Sequence, residues 1–226
     1  MALGPPVKQQ GLQRTVYQRI RKGILTGAIA PGGQLKIGEL ASALNVSANP
    51  VREALRQLEA EGMVHFSKNR KIEVVRLSQE DLKDIYSIMT PLEEIGLEKC
   101  FKLIDAQTLE KLETICAEMK REDLSSQEWV SLNRRYHTML HKAAGSPRLA
   151  EILGRLRDHV TPYLNISFND PDRIAQAVLE HDGLLACFKD GDLAKAKEIM
   201  HSHLNNGCEA IEILLEAEKK PGLAEL

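Results

Sequence analysis

Apolar residues recur along this chain at spacings of three and four, the period that lays them on one side of an α-helix. Val16, Ile20 and Ile24, with Tyr17 and Leu25 beside them, predict an amphipathic helix from Gln13 to Ala28, stopped by Gly27 and the Pro31-Gly32-Gly33 cluster. Leu40, Ala41 and Leu44 share one side of a short helix over residues 37–44, and Asn45 suits the left-handed turn that follows it. Ser47 is read as the N-cap of a third helix that runs to about Glu61 and ends at Gly62, with Pro50 in its first turn. Val46, Val51, Leu55 and Leu58 are its inward positions.

Two β-prone runs come next, Met63–Phe66 and Ile72–Val75, separated by Ser67-Lys68-Asn69-Arg70-Lys71, a small hairpin with a basic tip. The rest reads as helix throughout, near 78–103, 105–122, 126–144, 147–167, 172–189 and 192–217. Breaks fall at Gly145-Ser146-Pro147, Asn169-Asp170-Pro171 and Asp190-Gly191-Asp192, and Ser125-x-x-Glu128 forms a capping box. Pro91, inside the first of these helices, predicts a kink or break near Met89. The fold class is therefore mostly α: a lead-in over residues 1–10, an N-terminal winged helix-turn-helix over 11–77, and an all-α six-helix bundle over 78–226.

Charge sharpens this division. The whole chain carries a formal net charge of −2, but residues 1–77 hold 12 Lys and Arg against 5 Asp and Glu, while the remainder holds 18 against 27. A +7 block suits a polyanion, and the −9 block that follows would be repelled by one. No run of about 18 uncharged apolar residues occurs, so no membrane span is expected, and the N-terminal ten residues lack the layout of a secretory signal. Cys100, Cys116, Cys187 and Cys208 form no CxxC pair and read as buried thiols of a cytoplasmic protein. Aromatic residues are only 4%, too few for stacking platforms that hold single-stranded nucleic acid.

In a winged helix-turn-helix the third helix lies in the major groove while the second braces it. The outward residues Ser47, Asn49, Arg52 and Arg56 are then the expected contacts to DNA, with Arg52 and Arg56 one turn apart and able to reach phosphates or guanine edges. Lys68, Arg70 and Lys71 at the hairpin tip can grip phosphates or enter a minor groove. The stretch P-V-R-E-A-L at 50–55 and the G-x-x-x-P-G turn at 27–32 resemble the DNA-binding domain of the GntR family of bacterial transcriptional regulators. That resemblance implies a winged helix binding a double-stranded, pseudo-palindromic operator as a homodimer, its recognition helices about 34–36 Å apart. Two departures stand out: Ala48 where the family usually has Arg, and a Lys68-Asn69-Arg70-Lys71 tip where it usually has glycines.

The acidic block carries its chemistry in histidines. His137 sits at the margin of a face formed by Trp129, Asn133, Tyr136, Leu140 and Ala144. His181 lies near the middle of the Ile174, Val178, Leu185, Phe188 stripe, and His203 in the Leu193, Ala196, Met200, Leu204, Gly207, Ile211 stripe. His201, about 200° round from His203, is expected outward. Three imidazoles on inward faces of three helices can converge in a bundle core and hold a divalent transition metal such as zinc or nickel, with positions left open; Asn133 adds an amide oxygen. His141 is expected further from that centre, and no acidic residue is expected beside the histidines as a general base. Satisfied core histidines with no metal, and a three-histidine metalloenzyme, are the competing readings.

An all-helical acidic domain behind such a head resembles the FCD domain of the FadR-like subfamily, in its shorter, VanR-like branch. The resemblance implies Asn133, His137, His181 and His203 as metal ligands, with Asn133 where Asp is more usual. It implies a small-molecule effector, a carboxylate, bound by metal and protein together in a regulator that is not an enzyme. Met89 stands where such domains commonly carry an effector-binding Arg. Arg134 and Tyr136 are the other residues expected at the effector, although Arg134 and Arg135 are also expected to face solvent.

Overall fold

A computed structural model describes residues 10–67, 69 and 71–219. Residues 1–9 of the lead-in expected over 1–10 and the wing-tip residues Lys68 and Arg70 lie outside the described residues, and Gln10, expected in that lead-in, opens the first helix. The chain divides into two units, the first ending at Arg76 and the second beginning at Leu77.

The first unit contains α1 (Gln10–Leu25), β1 (Gln34–Leu35), α2 (Ile37–Leu44), α3 (Ala48–Ala60), β2 (Val64–Phe66) and β3 (Ile72–Val74). The α1 stripe of Val16, Ile20 and Ile24 is buried in one cluster with Val51, Ala54, Leu55 and Leu58 of α3, so α1 backs the recognition helix. Asn45 takes the left-handed conformation between α2 and α3. Strand β1 is an addition to the expected hairpin: it pairs with β3, and the sheet order is β1-β3-β2, antiparallel throughout. Two residues are too few to show an alternating pattern, so its existence rests on pairing alone. The turn before it explains the glycine pattern. Gly27 and Gly32 both adopt positive φ, and the Gly32 N–H and the Gly33 carbonyl hydrogen-bond to opposite sides of Val74.

Ser47 occupies the expected N-cap position with extended backbone, yet its hydroxyl accepts no capping hydrogen bond. Of the two N–H groups that usually serve a cap, the third residue of the helix is Pro50, which has none to offer, and the Asn49 N–H is not engaged.

The second unit is the expected six-helix bundle: α4 (Gln79–Leu103), α5 (Ala106–Met119), α6 (Ser126–Ala143), α7 (Pro147–Ser167), α8 (Pro171–Asp190) and α9 (Leu193–Lys219). Ser78 with Asp81, and Ser125 with Glu128, close reciprocal capping boxes, and Asp105 and Asp170 cap α5 and α8. Helix α9 packs on α4, α7 and α8, while α6 packs on α4, α5 and α7. The unit starts one residue before the expected boundary because the Leu77 N–H donates to Tyr163 Oη at 2.7 Å, with Leu77 in the bundle's core.

The break expected at Pro91 is absent, since α4 runs through it. Leu82, Tyr86 and Met89 before the proline and Leu97 and Cys100 after it are all buried. At roughly 1.5–3 kcal/mol for each large side chain, their burial outweighs the ~3 kcal/mol that an interior proline costs. Cys100, Cys116 and Cys187 are buried free thiols, as expected, whereas Cys208, also expected buried, is only half-buried. Among the described residues no helix is long and apolar enough to cross a membrane.

The two serine caps should behave differently when shortened. In urea unfolding of the full chain followed by circular dichroism, Ser125→Ala lowers stability by about 1 kcal/mol. Ser47→Ala, which removes no cap bond, changes it by a few tenths at most. Equal losses would contradict the cap geometry described above.

Candidate functional site

On the first unit, Ser47, Asn49, Arg52 and Arg56 are all exposed, on the side of α3 away from buried Val51, Leu55 and Leu58. Lys71, at the base of the hairpin tip, is exposed too. Glu61, at the end of α3, accepts hydrogen bonds from Tyr17 Oη (2.7 Å) and Gln57 (3.2 Å). Arg52 and Arg56 thus project from a rigidly backed helix as cations directed at solvent, the arrangement a phosphate backbone or guanine edge requires.

On the second unit, α6, α8 and α9 bring His137, His181 and His203 together. Each is 5% exposed or less, and one ring nitrogen of each lies within 4.8 Å of the others. Their surroundings set their tautomers. The His203 Nδ1–H donates to Glu180 Oε2 at 2.6 Å, and the His181 Nδ1–H donates to the Ala177 carbonyl at 2.5 Å. Both rings therefore keep a bare Nε2 lone pair. Arg157 Nη2 donates to His137 Nδ1 at 2.8 Å; a guanidinium has only donors, so the neutral ring carries its proton on Nε2, 3.2 Å from His203 Nε2.

Burial holds all three rings neutral. It pushes His137 well below the usual histidine range, helped by the Arg157 charge. It takes His181 down to about 3, and lowers His203 against the opposing pull of Glu180. Glu180 ionises readily, at about 2, because its bonds to His203 and Asn206 and the Arg173 charge outweigh its burial.

A second polar cluster adjoins the triad. Glu93, 2% exposed on α4, accepts from Arg157 Nη2 (2.6 Å) and Nε (2.9 Å) and meets His141 Nε2 at 2.9 Å. Arg157 spans from this carboxylate to His137 and so ties α4, α6 and α7 together. His141 lies outside the triad, as expected, and is buried on Glu93. Two expectations are corrected: His137 is fully buried and not at a margin, and acids do stand beside the histidines, namely Glu180 and Glu93. The sequence does carry a signal for the missed pair: Glu93 interrupts the apolar series Leu82, Tyr86, Met89, Leu97, Cys100, and Arg157 the series Leu149, Leu153, Val160, Leu164.

The remaining expected residues fall as follows. Tyr136 is fully buried, its ring edge-on to His137 (5.6 Å) and His181 (4.7 Å). Met89 is 1% exposed in the apolar core. Arg134 is not free in solvent; it is part-buried in an ion pair with Asp158, whereas Arg135 is exposed and pairs with Glu118. His201 is exposed, as expected. Asn133 is 4% exposed, one turn before His137.

Two buried atoms of this centre have no hydrogen-bond partner: Asn133 Oδ1 and His181 Nε2. Both are lone-pair donors of the kind that ligate divalent transition metals, and His181 and His203 already have the second ring nitrogen bonded to a carbonyl or carboxylate, as metal-bound histidines do. The donor set fits a metal held by His181 and His203 through Nε2, with Asn133 as an added oxygen donor, and His137 would join them on giving up its Nε2 proton.

Comparison with known proteins agrees with both halves. Residues 12–74 match the bacterial regulatory proteins of the gntR family, and residues 84–206 match the FCD domain. The HTH-type transcriptional regulator YdhC of Bacillus subtilis is 26% identical over 207 residues, covering 90% of this chain and 92% of that protein. The HTH-type transcriptional repressor GlaR of Escherichia coli is 27% identical over 202 residues, covering 83% and 90%. The solved structure of E. coli McbR/YncC, 21% identical, superposes with a TM-score of 0.80 over 92% of this chain and 99% of that one, and so shares its fold. The basic winged helix and the histidine-bearing bundle are the two parts of one known kind of protein: this chain belongs to the GntR family of bacterial transcriptional regulators, with an FCD domain, and is a DNA-binding regulator and not an enzyme.

Proposed function

We propose that this regulator is a cytoplasmic repressor that binds a pseudo-palindromic operator as a homodimer and responds to a small organic acid held in the bundle with the help of a divalent transition metal. The observation that carries the reading is the meeting of three buried imidazoles from three helices beside two unpartnered lone-pair atoms. Exposed Ile88 and Ile95, seven residues apart on α4, are apolar positions that a second copy would cover.

A bound metal would supply a Lewis-acidic position for a carboxylate oxygen of the effector. The chain's own residues do the rest. Glu180 and the Ala177 carbonyl hold His203 and His181 in the ligating tautomer. With Met89 where related domains carry an arginine, Arg157 is the buried cation in contact with the triad, its charge already paired with Glu93. Because effector and operator bind the same protein, whatever the effector does to operator affinity the operator does equally to effector affinity.

Glu93 braces this arrangement. Despite burial, the Arg157 and His141 charges take its carboxyl from the usual 4.5 to about 2. A depressed carboxylate stabilises the fold fully above the unfolded value and loses that contribution as pH falls from about 4.5 toward 2, on the order of 3 kcal/mol for this shift.

Three measurements test the reading. In gel-shift titrations on DNA from its own control region, binding weakens steeply with salt, and Arg52→Ala and Arg56→Ala each cost about 1–3 kcal/mol. Lys71→Ala lowers the salt slope by about 1 at any sequence. Native mass spectrometry with elemental analysis finds a dimer with one metal per subunit. His137→Ala and His203→Ala lose the metal, and Asn133→Asp, which adds an anionic oxygen, tightens it at least tenfold in chelator competition; metal-free protein indifferent to all three changes would refute the centre. Glu93→Gln, which strands the Arg157 charge, lowers stability at pH 7 by about 3–5 kcal/mol and flattens the acid limb of the stability profile between pH 4.5 and 2.

A further inference from the structure

A cleft of about 690 Å³ opens between the end of α7, the α7–α8 turn, the start of α8 and α9, and none of the three histidines lines it. Arg173, the third residue of α8, reaches into it from a nearly buried position, its side chain 10% exposed. Its Nε and Nη1 have no hydrogen-bond acceptor. Glu180 Oε2 is the nearby anion, ion-paired at 3.5 Å from Nη1 without a hydrogen bond between them. Oε2 accepts from His203 Nδ1, and Oε1 accepts from Asn206 Nδ2 at 2.6 Å and Gln176 Nε2 at 3.2 Å. On its other side the guanidinium carbon stands 5.4 Å from the centre of the buried Phe168 ring. Arg173 is thus fixed in direction by packing while two of its donors go unused, and unused buried donors on a charged group are costly.

The lining says what would use them. A guanidinium presents parallel N–H groups that match a carboxylate. Ile166, Ala210 and Leu214 give the cleft an apolar wall suited to a hydrocarbon tail. Asp170 and Glu209, both exposed on the same cleft, oppose a multiply charged anion. We propose that this cleft binds a small monocarboxylate with an apolar tail, its carboxylate on Arg173 and its tail along Ile166, Ala210 and Leu214. The site is separate from the metal centre and does not require it. It adjoins the centre through Arg173, Glu180 and His203, so a carboxylate that takes over Arg173 changes what Glu180 experiences and, through it, the orientation of His203.

The test is isothermal titration of the full chain with hexanoate, on protein stripped of metal with EDTA and on His137→Ala. Both bind one hexanoate per chain. Arg173→Gln weakens binding at least tenfold with an unchanged thermal unfolding midpoint, and Arg173→Lys, which keeps the charge but not the fork, weakens it less. Ala210→Trp, which fills the cleft and leaves Arg173 in place, also abolishes binding and keeps the test decisive if the Arg173 variants do not fold. Binding that survives Arg173→Gln or Ala210→Trp overturns the proposal, as does absence of binding altogether. Binding that vanishes on metal removal and in His137→Ala places the carboxylate at the histidine centre and overturns it likewise. Hexanol, succinate or inorganic phosphate binding as tightly as hexanoate overturns the ligand class assigned.

Discussion

Taking a ring with two polar nitrogens out of water obliges the surrounding protein to satisfy both, and three such rings lie side by side in the core of this bundle. Glu180, the Ala177 carbonyl and Arg157 each answer one nitrogen, and in doing so they dictate which face of each imidazole carries a lone pair. Arg157 then needs a counter-charge, which Glu93 provides, and Glu93 in turn engages His141. A chain of obligations started by three histidines thereby reaches α4, α6, α7, α8 and α9.

The first unit solves an opposite problem. Its cations must remain in water, on a helix stiff enough to present them together. That stiffness comes from behind: Val16, Ile20 and Ile24 of α1 pack on Val51, Leu55 and Leu58, so the side of α3 bearing Arg52 and Arg56 stays free. This chain thus combines an exposed charged surface with a secluded polar centre, and each uses the residue type that its exposure tolerates.

Much of this was legible from spacing. The apolar stripes and the capping box at Ser125 placed the helices, and the inward register of His137, His181 and His203 placed the triad, because a helix converts sequence separation into direction. Where the reading went astray, the cause was competition that a single stripe does not show. Pro91 was expected to break α4, but buried residues on both sides of it decided otherwise. Ser47 was expected to cap α3, but the proline three residues on had removed one of its two usual partners. Arg134 was expected in solvent, and Asp158 from another helix captured it.

Glu93, Arg157 and Arg173 mark the boundary between the two kinds of knowledge. Periodicity along the chain, with charge and turn residues, was enough to determine a basic winged head, a six-helix acidic bundle and which side of each helix turns inward, since these depend on neighbours three or four residues away. Which buried charge meets which, and whether an arginine's donors are spent on a carboxylate or left facing a cleft, was decided by tertiary structure alone. Those partners lie 64 residues apart in the case of Glu93 and Arg157, and only the packing of whole helices brings such groups within reach of one another's short-ranged hydrogen bonds.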